Sequence, residues 1–181
     1  GYGESEQRLG NVGVENWKIV TKLPKFPDTC TDVTAWVKNQ VQGSLFRLKV
    51  TRLSGLLLHH PCQLLGSAGK ELWATLQKLK HDGTVDKIGF SIYEPSELDA
   101  LWSSFHPDLV QAPYNMLDRR MAISGWLKRM KEEGVEVHIR SVFLQGLLLM
   151  SENDRPKKFD RWLALWTAWE GWVNEQGLTK L

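Results

Sequence analysis

Five polar residues stand at or just beyond the ends of apolar runs: Lys22, His59, Ser91, Gln111 and Arg140. Their types complement one another. Lysine and arginine supply positive charge, histidine offers a donor or acceptor near neutral pH, and serine and glutamine are neutral hydrogen-bonding groups. Core strands rarely end in so many hydrogen-bond donors by chance. Each residue also has a plainer use. A lysine at a strand end is often a solvated terminus, and a lone histidine after Leu56-Leu57-Leu58 is more often a satisfied core group. Ser91 and Gln111 can simply complete neighbouring backbone bonds. Arg140 fits no such use, because a guanidinium beside Val137 and Ile139 needs a partner or an anionic ligand. The group His59, His60 and Cys62 invites a zinc reading. No further Cys or His follows at ligand spacing, and adjacent histidines on a strand point to opposite faces, so no metal is expected.

The elements that must position these residues alternate along the chain. Strands are expected over residues 17–23, 53–59, 87–93, 109–114 and 135–142. The runs LSGLLLHH and KIGFSIY are nearly continuous apolar stretches, as strands covered on both faces should be. Helices are expected over 31–50, 67–82, 94–103, 121–133 and 159–175. Thr31 and Asp32 open the first, Gly83 closes the second, and Pro95 starts the third. The last spaces Trp162, Trp166, Trp169 and Val173 three and four apart. Strand and helix in alternation mean parallel βαβ units. No GxGxxG or GxxxxGK[ST] follows a strand, which favours a barrel over an open nucleotide-binding sheet. The expected fold class is therefore α/β, of the (β/α)8 TIM-barrel family but incomplete, with about five parallel βα units where a whole barrel has about eight strands and about 250 residues.

Composition narrows the function. The chain has 181 residues, 42% hydrophobic and 24% charged, with a formal net charge of +2. That balance gives no support to nucleic-acid binding driven by bulk charge. There is no run of about 18 apolar residues to span a membrane. The opening GYGESEQRLG is polar and lacks the order of a signal peptide, and its first residue falls inside what reads as a turn. Two cysteines, Cys30 and Cys62, fit a reducing cytoplasm better than a disulfide framework.

The order of the motifs resembles the aldo-keto reductases, over essentially all 181 residues. Tyr2 to Gly10 is similar to YGxSExxLG, and Ile19 to Leu23 to the segment ending in the family's catalytic lysine. Ser44 to Leu48 is similar to SLxRL. Leu57-Leu58-His59-His60-Pro61 resembles the LIHWP-like motif, with His59 at the catalytic histidine and His60 at its variable neighbour. Gly83 to Ser91 resembles GKVRxIGxS, and Val110 to Asn115 resembles VQxxYN, with Gln111 at its glutamine. Arg140 to Gly146 is similar to the SPLxxG segment that holds the cofactor, with Val142 in place of the proline.

The resemblance implies NAD(P)H-dependent reduction of a small aldehyde or ketone in the cytoplasm, with NADP as cofactor and NAD not excluded. Tyr2 would be the general acid, Lys22 would lower its pKa, and His59 would orient the carbonyl. Ser91 and Gln111 would hold the nicotinamide carboxamide. Arg140, where the family often has an aromatic residue, would lie against the ring or reach toward phosphate, and Ser141 and Gly146 would line the pyrophosphate segment. The family's catalytic aspartate would precede Gly1, and Ile92 stands where many members have Asn. The chain is expected to be an internal fragment, a single partial barrel domain over residues 1–181, without the N-terminal strands or the C-terminal cofactor segment. Two other readings stand beside this one: a non-catalytic, nucleotide-binding family member, and a tryptophan-rich interaction module using 159–175 as a docking helix. Neither a nucleic-acid nor a membrane partner is expected.

Overall fold

The computed structural model describes residues 3–180, so the expected role of Tyr2 lies outside the described residues. They divide into two compact units, residues 3–114 with 118–140, and residues 115–117 with 141–180.

The first unit is built on one parallel sheet in the order β1-β2-β3-β4-β5. The strands are β1 (Val20–Leu23), β2 (Gly55–Leu58), β3 (Ile88–Ser91), β4 (Leu109–Pro113) and β5 (Glu136–Arg140). All five expected strands are present, each shortened at one end or both. Helices α1 (Ser5–Val12), α2 (Val33–Leu48), α3 (Gly69–His81), α4 (Pro95–Leu101), α5 (Arg120–Ile123) and α6 (Trp126–Glu132) accompany them. Asp32 caps α2 by accepting from the Ala35 N–H at 2.8 Å. Leu23, Leu56, Leu58, Ile88, Phe90, Val110 and Ala112 join Val37, Val41, Leu48, Leu72 and Leu76 from the helices in one buried cluster. β2 and β3 are buried at every residue, as their unbroken apolar runs require.

Gly3 and Glu4 form a turn, and a helix the sequence did not announce follows it, α1, whose Gly10 lies against the backbone of Arg47 and Leu48. One expectation for this unit needs correction. The helix expected over 121–133 is two helices, because Gly125 takes a left-handed backbone, φ 83°, between α5 and α6.

The second unit holds a 3-10 segment, Leu144–Leu149, another at Lys157–Trp162, and α7 (Leu163–Glu175). Its core is Leu147, Leu148 and Trp166. The helix expected over 159–175 thus begins at Leu163, and Trp162 leaves the helical stripe to stand 41% exposed.

Candidate active site

The strand register decides which side chains share a face. Lys22 lies opposite Leu57, Leu57 opposite Gly89, Gly89 opposite Leu109, and Leu109 opposite Glu136. Ser91 lies opposite Gln111, Gln111 opposite His138, and Arg140 opposite Pro113. Partners in register face one way and side chains alternate along each strand. Lys22, Ser91, Gln111, His138 and Arg140 therefore share one face, and the helices cover the other. His59 extends β2 on the same face, its N–H donating to the Leu23 carbonyl at 3.1 Å. The five residues picked out from the sequence thus converge at the C-terminal ends of the strands.

Beneath them, from β2 to β4, the face is apolar. Leu57 and Leu109 are fully buried yet stand apart from the helix-side cluster. A Cβ on Gly55 would meet the Leu109 Cδ2 at 3.1 Å. Leu109 reaches Gly55, two strands away, over Gly89, so the sheet curls toward this face.

Burial and charge set the state of the cations. Burial, and then the positive charge of Arg140, hold the Lys22 ammonium below the ordinary lysine value. No carboxylate among the described residues pairs with it. Burial also pulls His59 below the ordinary histidine value, helped by His60, Lys22 and Arg140, so its imidazole favours the neutral form. The rings of His59 and His60 meet edge to face at 4.9 Å, but His60 is exposed and begins the 3-10 segment Pro61–Leu65.

Ser91 is buried and Gln111 half-buried, and neither side chain hydrogen-bonds to another described residue. A hydroxyl and a primary amide left uncommitted at the same level of adjacent strands complement a carboxamide, which has one acceptor oxygen and two N–H donors. The donor set therefore fits a nicotinamide.

Arg140 is held on three sides. Its guanidinium carbon lies 4.3 Å from the centroid of the Tyr93 ring, its Nη2 donates to the Ile92 carbonyl at 3.0 Å, and its own carbonyl accepts from Tyr114 N–H. Tyr93 was not among the residues picked out from the sequence. Its signal was proximity alone, two residues beyond Ser91. The same holds for His138, which sits two residues before Arg140 and accordingly on its face. His138 Nε2 lies 2.6 Å from Glu136, which also pairs with Lys87.

Ser141 and Gly146 lie in the second unit. Both have left-handed backbones, φ 58° and 88°, and the Ser141 carbonyl accepts from Asn115 Nδ2 at 3.1 Å. The described residues contain no group of three or more His, Cys, Asp or Glu able to hold a metal, and no helix long and apolar enough to cross a membrane.

A parallel sheet with donors gathered at its strand ends is the α/β-barrel arrangement. The aldo/keto reductase family model matches residues 1–179, and the chain belongs to that family. Its fold is five parallel βα units of a barrel class whose solved members are larger. A Pseudomonas aeruginosa protein assigned to the aldo-keto reductases is 26% identical, with a TM-score of 0.63, over 84% of this chain and 60% of its own. The glycerol dehydrogenase of Gluconobacter oxydans matches at 21% identity and a TM-score of 0.72, over 97% of this chain and 62% of its own. An aldo/keto reductase of Klebsiella pneumoniae, solved in complex with NADP and acetate, matches at 19% identity and 0.65, over 97% of this chain and 58% of its own. The chain thus spans about three-fifths of the length of these structures. No curated protein matches the sequence significantly.

Proposed function

We propose that this chain carries part of the active site of an NADP-dependent carbonyl reductase, one that converts an aldehyde or ketone to an alcohol. A single observation carries the reading: Lys22, His59, Ser91, Gln111 and Arg140 share one face of the sheet at its C-terminal end, with the Ser91 hydroxyl and Gln111 amide uncommitted. The Klebsiella relative, solved with NADP, supports the choice of cofactor.

A bound nicotinamide dinucleotide supplies the hydride; the protein supplies position and protons. Ser91 and Gln111 would hold the nicotinamide carboxamide, the hydroxyl as donor and the amide oxygen as acceptor. His59, neutral at working pH, donates its ring N–H to the substrate carbonyl oxygen and stabilises charge as it develops there. Tyr2 delivers the proton that completes the alcohol. A phenol near pKa 10 is a poor acid at neutral pH, and the Lys22 ammonium lowers it.

The test is NADPH oxidation by the full-length protein against a panel of aliphatic and aromatic aldehydes. Turnover that Tyr2→Phe reduces at least a hundredfold supports the reading. Turnover that ignores that change removes the tyrosine from the chemistry. Absence of turnover across the panel, with NADPH still bound, favours a non-catalytic nucleotide binder.

A further inference from the structure

Positive charge collects beside Ser91 and Gln111, and the described acids around it are committed elsewhere. Glu136 is engaged by Lys87 and His138. Glu94 and Asp118 are engaged by Arg120. Glu97 accepts from the N–H groups of Tyr93 and Glu94 and from Cys62. Asp118 feels the charge of Arg140, but Arg120 reaches both of its oxygens, at 2.9 and 2.7 Å.

Arg140 is also fixed in place. Tyr93 covers one face of its guanidinium, and the Ile92 carbonyl takes one of its N–H groups. Tyr93 is pinned in turn by its N–H to Glu97 at 2.6 Å. An arginine held in this way keeps its charge at the rim, whereas a free one would turn it toward water. Its field is already felt by Lys22 and His59.

A nicotinamide ring is neutral when reduced and carries one positive charge when oxidised, while the phosphates of the dinucleotide are the same in both. The difference in affinity between the two forms therefore isolates the ring's charge from every phosphate contact. We propose that Arg140 makes this site discriminate between the redox forms of its nicotinamide dinucleotide, binding the reduced form more tightly. This deepens the proposed function and rests on Ser91 and Gln111 as the holders of the carboxamide. Such a preference loads the protein with hydride donor and favours release of the oxidised product.

The test measures dissociation constants by quenching of tryptophan fluorescence, with NADPH and NADP+ titrated separately into the full-length protein. The oxidised form should bind about tenfold more weakly, the order expected for one like charge nearby at intermediate dielectric. NADH and NAD+ should give a similar ratio, since the 2′-phosphate is not involved. Arg140→Gln should bring the ratio close to one, and Arg140→Lys, which keeps the charge, should preserve most of it. Equal affinities in the native protein overturn the inference whether or not the variants fold, and leave the carboxamide site standing. Weakening of both forms alike in Arg140→Gln also overturns it and assigns the arginine to the phosphates. If neither form binds, the reading of Ser91 and Gln111 falls, and this inference with it.

Discussion

Gly89 on β3 lies so close to its register partner Leu109 on β4 that a Cβ on the glycine would overlap the leucine carbonyl oxygen. The absent side chain lets Leu109 lie across β3 toward Gly55 and lets the sheet curl beneath the candidate site. It also fixes the position of Ser91, two residues further along the strand. Gly89→Ala should cost about 1–3 kcal/mol, as overpacking of a filled interior does. It should also weaken NADPH binding, because β3 and β4 carry Ser91 and Gln111. Urea unfolding and fluorescence titration check the two parts. A variant as stable as the native protein would mean that the strands separate there without penalty.

Lys22 sets function against stability. Its ammonium is disfavoured by burial and by Arg140, so its value in the folded chain lies below the ordinary 10.5. Between those two values the unfolded chain binds more protons than the folded one, so stability rises with pH through that window. The penalty is fully present below the folded value, fades as pH rises through the window and is gone above 10.5. Lys22→Met should therefore raise Tm at pH 7, by an amount that shrinks as the solution becomes strongly alkaline, and should abolish carbonyl reduction. A lower Tm at pH 7 would mean that a partner stabilises the charge of Lys22.

The strands were legible because burial on both faces leaves unbroken apolar runs, as at Leu56-Leu57-Leu58 and Ile88-Gly89-Phe90. The convergence of Lys22, His59, Ser91, Gln111 and Arg140 was legible only in part. Lys22, His59, Ser91 and Arg140 mark strand ends in the sequence while Gln111 stands within its strand, and their common face depends on the register between strands, which no single segment encodes. The break at Gly125 was hidden because Met121, Trp126 and Met130 keep a workable apolar spacing through it, and all three are buried. α1 was hidden because it is short, polar and exposed on most sides. Trp162 looked like part of the α7 stripe, but the backbone reaches α-helical geometry only one residue later. Tyr93 was marked only by its place two residues beyond Ser91, since its role lies in a contact with a residue 47 positions away.

His59 gives a prediction of the same sign in a different range. Burial, His60, Lys22 and Arg140 all press it below the ordinary histidine value of 6.5. The unfolded chain then binds the proton first as the solution is acidified, so stability falls as pH drops through that window. An NMR titration of the His59 ring should give a midpoint below 6.5, and Arg140→Gln should move it upward. Carbonyl reduction should stay independent of His59 protonation across neutral pH. A midpoint above 6.5 would mean that an acidic neighbour, and not burial or the nearby cations, governs the imidazole.

In the second unit, Arg155 and Glu170 form the decisive pair. The Arg155 side chain is only 4% exposed, lies over the Trp166 ring at 4.7 Å, and donates to Glu170 at 2.8 Å, while its Nε is buried without a partner. Lys180 joins Glu170 at 3.0 Å and the Met150 carbonyl at 2.8 Å, tying the chain end and the loop before Arg155 to α7. Glu170→Gln leaves a buried guanidinium uncompensated and should destabilise this unit by about 2–3 kcal/mol, less than for a wholly buried pair because Glu170 is 29% exposed. The hydrogen bond from Lys180, followed by that from Arg155, holds the Glu170 carboxyl below the ordinary 4.5. Its stabilising contribution is therefore present above pH 4.5 and is lost as pH falls through the lower, folded value. Acid titration followed by Trp166 emission should show a transition in that range for the native chain and none for Glu170→Gln. A variant that unfolds with the native acid profile would show that another carboxylate governs the unit.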